Sequence, residues 1–238
     1  MKGQKIILQL VAVLCLMSTI SCIKTTEILS EQSEFLLDLP TISSITLDMP
    51  ATVHITQGPT QSIHITAQQE IFDLLTKSVD NENWRIALPS GVYKYGSINI
   101  EISLQTLTEL SNTSTGDIIV NKPFTNLSQL LLLSDGTGLI KFNGQAQAID
   151  LQMEGTGNVE LAGNTELLTI NNQGLGKIIA YDLASKEAAI TTDATGDIFV
   201  FVQDVLRVTM DGIGDVFYKG QPTIESAISG IGELINAN

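Results

Sequence analysis

Cysteine is almost absent from this chain: 238 residues hold two, Cys15 and Cys22. Cys15 lies inside a leading apolar stretch, so once that stretch is removed a single thiol remains and no intrachain disulfide can form. The body must hold together by core burial, and it is long enough to do so as one domain. Cations are also scarce, with 12 Lys plus Arg against 26 Asp plus Glu, and Arg85 and Arg207 as the only arginines. A body this acidic repels nucleic acid and anionic headgroups, and it has no residues from which to build a basic patch. Histidine is limited to His54 and His64, which leaves a Ser-His-Asp constellation few ways to form.

What the N-terminus does have is an address. Lys2 and Lys5 precede an apolar run from Ile6 to Met17, shorter than the roughly 20 apolar residues that cross a bilayer. Thr19-Ile20-Ser21-Cys22 follows. It resembles the lipobox of bacterial lipoproteins, with Thr19 where leucine is usual. Residues 1–21 are therefore expected to be a lipoprotein signal peptide and Cys22 the lipidated N-terminus. Its acyl chains hold to the membrane through about 0.8 kcal/mol per buried methylene. The expected placement is that of an exported outer-membrane lipoprotein, facing the periplasm or the cell surface, with the membrane as a partner through its anchor. Removing residues 1–21 takes Lys2 and Lys5 and no acid, which leaves 10 cations against 26 acids, or −16. Residues 22–34 are polar and read as a flexible tether.

Glycine is placed with a period. Aligned on the second glycine of a Gly-x-Gly pattern, the anchors are Gly116, Gly138, Gly157, Gly176, Gly196, Gly214 and Gly232, spaced by 22, 19, 19, 20, 18 and 18 residues. The leading glycine is Ser114 in the first repeat and Ala194 in the fifth. Two residues after the anchor stand Ile118, Ile140, Val159, Ile178, Ile198, Val216 and Leu234, all aliphatic. Apolar residues also dominate four after, six before and eight before the anchor. Each repeat reads as two short strands with period-two alternation, separated by a glycine turn. One such repeat is too small to bury its inward rows alone. Stacked coils make a continuous core, with neighbouring strands parallel at about 4.8 Å.

The period excludes other architectures. A propeller blade needs about 40 residues. A dinucleotide fingerprint opens a helix, whereas each glycine pair here precedes a strand. The calcium-binding nonapeptide has half the period. Glycine suits such a turn for one of two reasons, a positive φ or a close backbone approach. Residues 106–238 are thus read as a seven-coil β-solenoid.

Residues 35–105 form a less regular β head continuous with it. Ile45 to Ile55, Ile63 to Ala67 and Ile98 to Leu104 alternate, Ile71 to Lys77 has the pattern of a helical turn, and Trp84 to Leu88 that of a strand. Tyr93 and Tyr95 sit in a glycine-rich loop, where cap packing is the commoner role and sugar stacking the sharper one. The order of these segments carries a resemblance. An alternating segment with Gln57-Gly58 precedes Trp84-Arg85-Ile86-Ala87-Leu88 and Ile98-Asn99-Ile100-Glu101-Ile102. The serial Gly-x-Gly repeats then end in Phe217-Tyr218-Lys219-Gly220-Gln221-Pro222 and Ser229-Gly230-Ile231-Gly232.

From about Phe35 to Ile235 the chain resembles the family described as "putative auto-transporter adhesin, head GIN domain", common among Bacteroidetes lipoproteins of unknown function. Gln105 stands where that pattern has proline. The resemblance implies an all-β, single-stranded right-handed parallel β-helix of 18–22 residues per coil, and it offers no catalytic residues to carry over.

Function is read accordingly. The expectation is a non-catalytic binding or adhesion module of the cell envelope, not an enzyme, with no cofactor, no nucleic acid, and a glycan or protein ligand of unknown identity. The alternatives are a purely structural envelope protein and a polysaccharide-active β-helix enzyme. The latter is disfavoured because lyase chemistry on an anionic sugar wants basic groups. If Gln57 to Gln61 is a hairpin loop, His54 and His64 face each other. Two ligands make a poor zinc site, and solvated neighbours are the plainer account.

Acids also recur in register, three before the anchor at Asp135, Glu154, Asp193 and Asp211, and one after it at Asp117, Asp197, Asp215 and Glu233. The plain reading is turn capping. The sharper one is a weak Ca²⁺ ladder along Asp193, Asp197, Asp211, Asp215 and Glu233, since oxygen-only ligands suit that ion.

Overall fold

The structure, a computed structural model, describes residues 25–28 and 30–238. The signal peptide expected over 1–21 and the lipidation site Cys22 lie outside the described residues. The rest is a parallel β-solenoid of about seven glycine-turn coils with a less regular N-terminal region. Its strands are β1 (Thr25–Glu27), β2 (Gln32–Leu36), β3 (Ser44–Leu47), β4 (Thr52–Gln57), β5 (Ser62–Gln68), β6 (Val79–Asp80), β7 (Asn83–Ile86), β8 (Val92–Lys94) and β9 (Asn99–Leu104) in the head. The coils follow as β10 (Glu109–Asn112), β11 (Asp117–Val120), β12 (Phe124–Ser134), β13 (Ile140–Met153), β14 (Val159–Asn172), β15 (Ile178–Thr192), β16 (Ile198–Met210), β17 (Val216–Lys219), β18 (Thr223–Ile228) and β19 (Leu234–Asn236). One short helix, α1 (Gln69–Leu74), interrupts the head.

The stacked column predicted from the glycine register is present. Ile118 pairs with Ile140, Ile140 with Val159, Val159 with Ile178, Ile178 with Ile198 and Ile198 with Val216, each in parallel register. All six are fully buried. A buried side chain of this size contributes about 1.5–3 kcal/mol relative to an exposed one, so the column is the spine of the core. The rung after Val216, at Leu234, has a partner on one side only and is half-exposed.

Two details differ from the reading of two strands per repeat. β13 to β16 are single strands of 14, 14, 15 and 13 residues. The corner opposite the glycine turn is taken without leaving the ladder, by a change in which residues point inward. In β13, Ile140, Phe142, Gly144 and Ala146 are inward, then Ile149, Leu151 and Met153. Gly163 holds a φ of +113° at this corner, and a Cβ there would come within 1.9 Å of the Gly144 carbonyl.

The turn glycines answer to the second reason, close approach. Among the described residues the positive-φ glycines are Gly163 and Gly220, and none is an anchor. A Cβ on Gly138 would stand 1.7 Å from the Gly116 carbonyl, and one on Gly176 2.0 Å from that of Gly157. Coils touch through the glycine column.

The head supplies two further rungs, out of sequence order. β3 pairs in parallel with β10, and β4 with β11. Ala51 therefore lies under the anchor Gly116, whose Cβ would come within 2.3 Å of the Ala51 carbonyl. β7 stacks on the far side of β3, and β9 on the far side of β4. The chain lays down the second rung first, then the end rung, then passes over the second to begin the third. Antiparallel β5 covers β9, and β2 pairs antiparallel with β5. Trp84, fully buried, donates its indole N–H to the Thr76 carbonyl (2.9 Å).

The flexible tether expected over 22–34 is, over its described residues 25–28 and 30–34, replaced by pairing with the head. Thr25–Glu27 is a strand parallel to β8, with Lys94 on Glu27 at 2.5 Å, and Ile28 is buried. Gln32–Leu36 completes the antiparallel cap. Polar composition misled here because the exposed edges of β5 and β8 attract backbone rather than side chains.

Candidate functional site

Side chains that alternate out of the solenoid on the strands after the glycine turn form one broad face. In spatial order, and in register, its central column runs His64, Glu101, His54, Ile119, Lys141, Glu160 and Ile179, then Phe199, Phe217 and Ile235. The two histidines do not face each other. β9 lies between β4 and β5, so Glu101 stands in register with both. The signal was local alternation, and it could not show that a strand some 40 residues away in the chain would insert.

Around this row is a cleft of about 310 Å³ lined by His54, Thr56, Ser62, His64, Glu101 and Ser103, with Asn121 at its edge. His54 Nδ1 is buried without a hydrogen-bond partner among the described residues. Ser103 donates its hydroxyl to the Thr60 carbonyl (3.1 Å), so it is held by backbone rather than by a base. Among the described residues no three His, Cys, Asp or Glu side chains converge as metal ligands.

The next strands carry a second cleft, of about 280 Å³, lined by Asn121, Lys141, Asn143, Glu160, Ile179 and Asp182 among others. Lys141 and Glu160 pair across it at 2.7 Å. Register shifts around Ala180–Ala184 place extra residues in β15. Such bulges re-aim side chains, and here Tyr181 turns onto the outer face. Its ring meets Phe199 edge-on at 5.5 Å, and Phe199 stacks on Phe217 at 4.9 Å. Lys219 sits 4.3 Å over Tyr181 and Lys177 5.6 Å over Phe199. Partial burial raises the Tyr181 phenol above its ordinary value. This aromatic cluster was not singled out from the sequence, although Phe199 and Phe217 share an offset of three residues after the anchor and were legible in the same register.

Tyr93 and Tyr95 pack half-buried against the head core, the cap role, and burial raises the Tyr95 phenol. Three of the eight recurring acids cap the next coil. Asp117 Oδ1 accepts the Leu139 N–H (2.9 Å), Asp197 Oδ1 that of Asp215 (3.3 Å) and Asp215 Oδ1 that of Glu233 (2.9 Å). Asp197 also pairs with Lys177 (3.2 Å), and Asp211 accepts from Ser229 Oγ (2.9 Å). Among the described residues no three of these carboxylates gather on a common centre. Capping, the plainer of the two readings, is what the contacts show at Asp197 and Asp215, and among the described residues no convergent ligand set forms along Asp193, Asp197, Asp211, Asp215 and Glu233.

These features define a parallel β-solenoid with a capped N-terminal head and one continuous outer face. The chain belongs to the family described as "putative auto-transporter adhesin, head GIN domain", whose model matches residues 42–222. It is similar in fold to a putative adhesin from Bacteroides fragilis, with a TM-score of 0.81 at 21% identity, covering 87% of this chain and 97% of that one. It also resembles a putative lipid binding protein from Parabacteroides distasonis (TM-score 0.73, 18% identity, 89% and 100% covered). A putative adhesin from Parabacteroides merdae is more distant (TM-score 0.66, 16% identity, 88% and 99% covered). No functionally curated protein matches.

Proposed function

We propose that this chain is an exported, lipid-anchored envelope protein that acts as a non-catalytic binding module, with the face after the glycine turns as its binding surface. The observation that carries this reading is the pair of adjoining clefts on that face, lined by side chains that the solenoid does not need for its core. Family membership and the lipobox-like Thr19-Ile20-Ser21-Cys22 support it. Anchoring is tested by Cys22→Ser, which removes the acylated thiol and should move the protein from the membrane to the soluble fraction. Unchanged membrane association would defeat the anchor. Protease treatment of intact cells then tests exposure, and protection of the whole chain would confine it to the periplasm.

A second reading has one observation in its favour. Ile179, Phe199, Phe217 and Ile235 follow one another on the outer face, an apolar strip that suits an acyl chain, as the name of the P. distasonis neighbour suggests. Flotation with zwitterionic phosphatidylethanolamine–phosphatidylcholine vesicles, which present no net negative headgroup charge to the acidic body, tests it. Co-flotation of the Cys22→Ser chain would favour lipid, and its absence would leave the clefts as the binding surface.

A further inference from the structure

Four strands from three stretches of the chain, in the spatial order β5, β9, β4 and β11, lie side by side under the first cleft, and β13, β14 and β15 continue the same face under the second. Asn121 is a wall of both clefts. They therefore run on as one groove over seven strands, about 29 Å at the usual 4.8 Å between strands. The groove crosses the strands and follows the solenoid axis.

Its lining has a definite chemistry. Thr56, Ser62, Ser103, Asn121 and Asn143 bring hydroxyls and amides. Its charges lean acidic: Lys141 is held by Glu160 at 2.7 Å, and Glu101 and Asp182 add two further carboxylates. Asp182, next to the bulge in β15, lines the second cleft.

We infer that this groove binds a linear, neutral polysaccharide, lying along the solenoid axis with about one sugar unit per rung. The inference rests on the binding-module reading and names its ligand class. Each cleft is near the lower limit of about 300 Å³ for small-molecule pockets, and those are mostly apolar. Shallow clefts of mixed lining, with hydroxyls and amides beside apolar patches such as Ile119, Phe142 and Ile179, suit a sugar chain that extends across them, since a pyranose has both polar edges and an apolar face. An extended peptide is a poorer fit, because strand addition needs a free backbone edge, whereas this groove offers side chains from paired strands. An anionic glycan meets a body with 26 acids and a groove whose lysine is already paired. Hydroxyl and amide side chains match sugar hydroxyls as both donors and acceptors.

The test is affinity electrophoresis of the Cys22→Ser chain in gels containing mixed-linkage β-glucan, xylan, glucomannan or amylose, with polygalacturonate as the anionic control. Retardation is expected in at least one neutral glycan and not in polygalacturonate. Asn121→Ala with Asn143→Ala should weaken that binding about ten-fold, the loss expected for two hydrogen bonds. Gln152→Ala with Asn171→Ala, exposed and in register on the segment before the glycine turn, outside the groove lining, should leave it unchanged. Thermal melts confirm that both pairs fold. Equal loss in the two pairs, preference for polygalacturonate, or binding only to phospholipid vesicles would overturn the inference. Attachment to intact cells without any neutral-glycan binding would also overturn it while leaving the binding-module reading in place. No attachment to cells, glycans or vesicles would sink both.

Discussion

The glycine-turn coils and the head are made of the same rungs, yet they obey different rules of chain order. In the coils each rung rests on the one just before it in sequence, about one repeat earlier. In the head the rung β3–β4 lies between β7–β9 and β10–β11, so both of its neighbours come later in the chain. The coils are held by sameness, a glycine column and an aliphatic column. The head is held by particular residues, such as Trp84 bonded to Thr76 and the stacked pair Phe35 and Phe72 at 4.2 Å. Repetition allows close backbone approach everywhere. Its absence demands individual fits.

The largest expected effect breaks the coils. Gly138→Ala places a Cβ where the Gly116 carbonyl already sits, and backbone cannot rotate away as a side chain can. A loss of about 3 kcal/mol or more is expected in chemical denaturation, at or beyond the upper end for overpacking. The head occupies the same column with Ala51. Ala51→Gly should cost no more than about 1 kcal/mol, the conformational penalty of glycine. Equal small effects would mean that inter-coil approach is not why the anchors are glycine.

An intermediate effect lies at the junction of the two regions. Asn112, fully buried, donates to the Gly116 carbonyl (2.7 Å) and accepts the Ser114 N–H (3.0 Å), tying the first turn shut. Asn112→Ala should destabilise by about 1–3 kcal/mol, because turn backbone groups lose their partner. Met153 holds the same column two coils later with no such duty, and Met153→Leu should cost less than about 1.5 kcal/mol. A harmless Asn112→Ala would show that the turn closes on its own.

The smallest effect is alkaline. Burial raises the phenol of Tyr95 in the head, and more weakly buried Tyr181 in the coils shifts in the same direction. The folded chain holds the phenolic proton more tightly than the unfolded one, whose tyrosines titrate near 10. The stability linked to this difference is complete below about pH 10 and is lost as pH rises through the folded value. Tyr95→Phe should flatten that decline in melts between pH 9 and 11, more than Tyr181→Phe does. A steeper decline in the Tyr95 variant would reverse the assignment.

Much of the coil region was legible because its information is local and repeated. Seven glycines and the residues two positions after them specify register, inward face and stacking direction together. The buried polar column four residues before the anchor, with Asn112, Ser134, Asn172 and Thr192, follows the same count and was there to be read. The candidate groove was only half legible. Lys141, Glu160 and Ile179 share an offset, but Glu101 and the histidines join them through pairings between segments far apart, which alternation alone does not encode. The order of the head rungs is likewise a long-range choice. The tether failed for the opposite reason: a polar stretch carries no sign of the strand edge that will accept it.

The displaced order of the head rungs works as a stitch. In an ordinary solenoid the terminal coil is also the terminal stretch of chain, and it can peel away like the first turn of a rope. Here the outermost rung, Asn83–Ile86 with Asn99–Leu104, belongs to the middle of the N-terminal half, and the chain enters the stack one rung further in. Pulling on the N-terminus loosens β1 and β2 but leaves that end rung held by the segment that crosses back over its neighbour. A tug on the proposed anchor would therefore meet a locked seam rather than a free end.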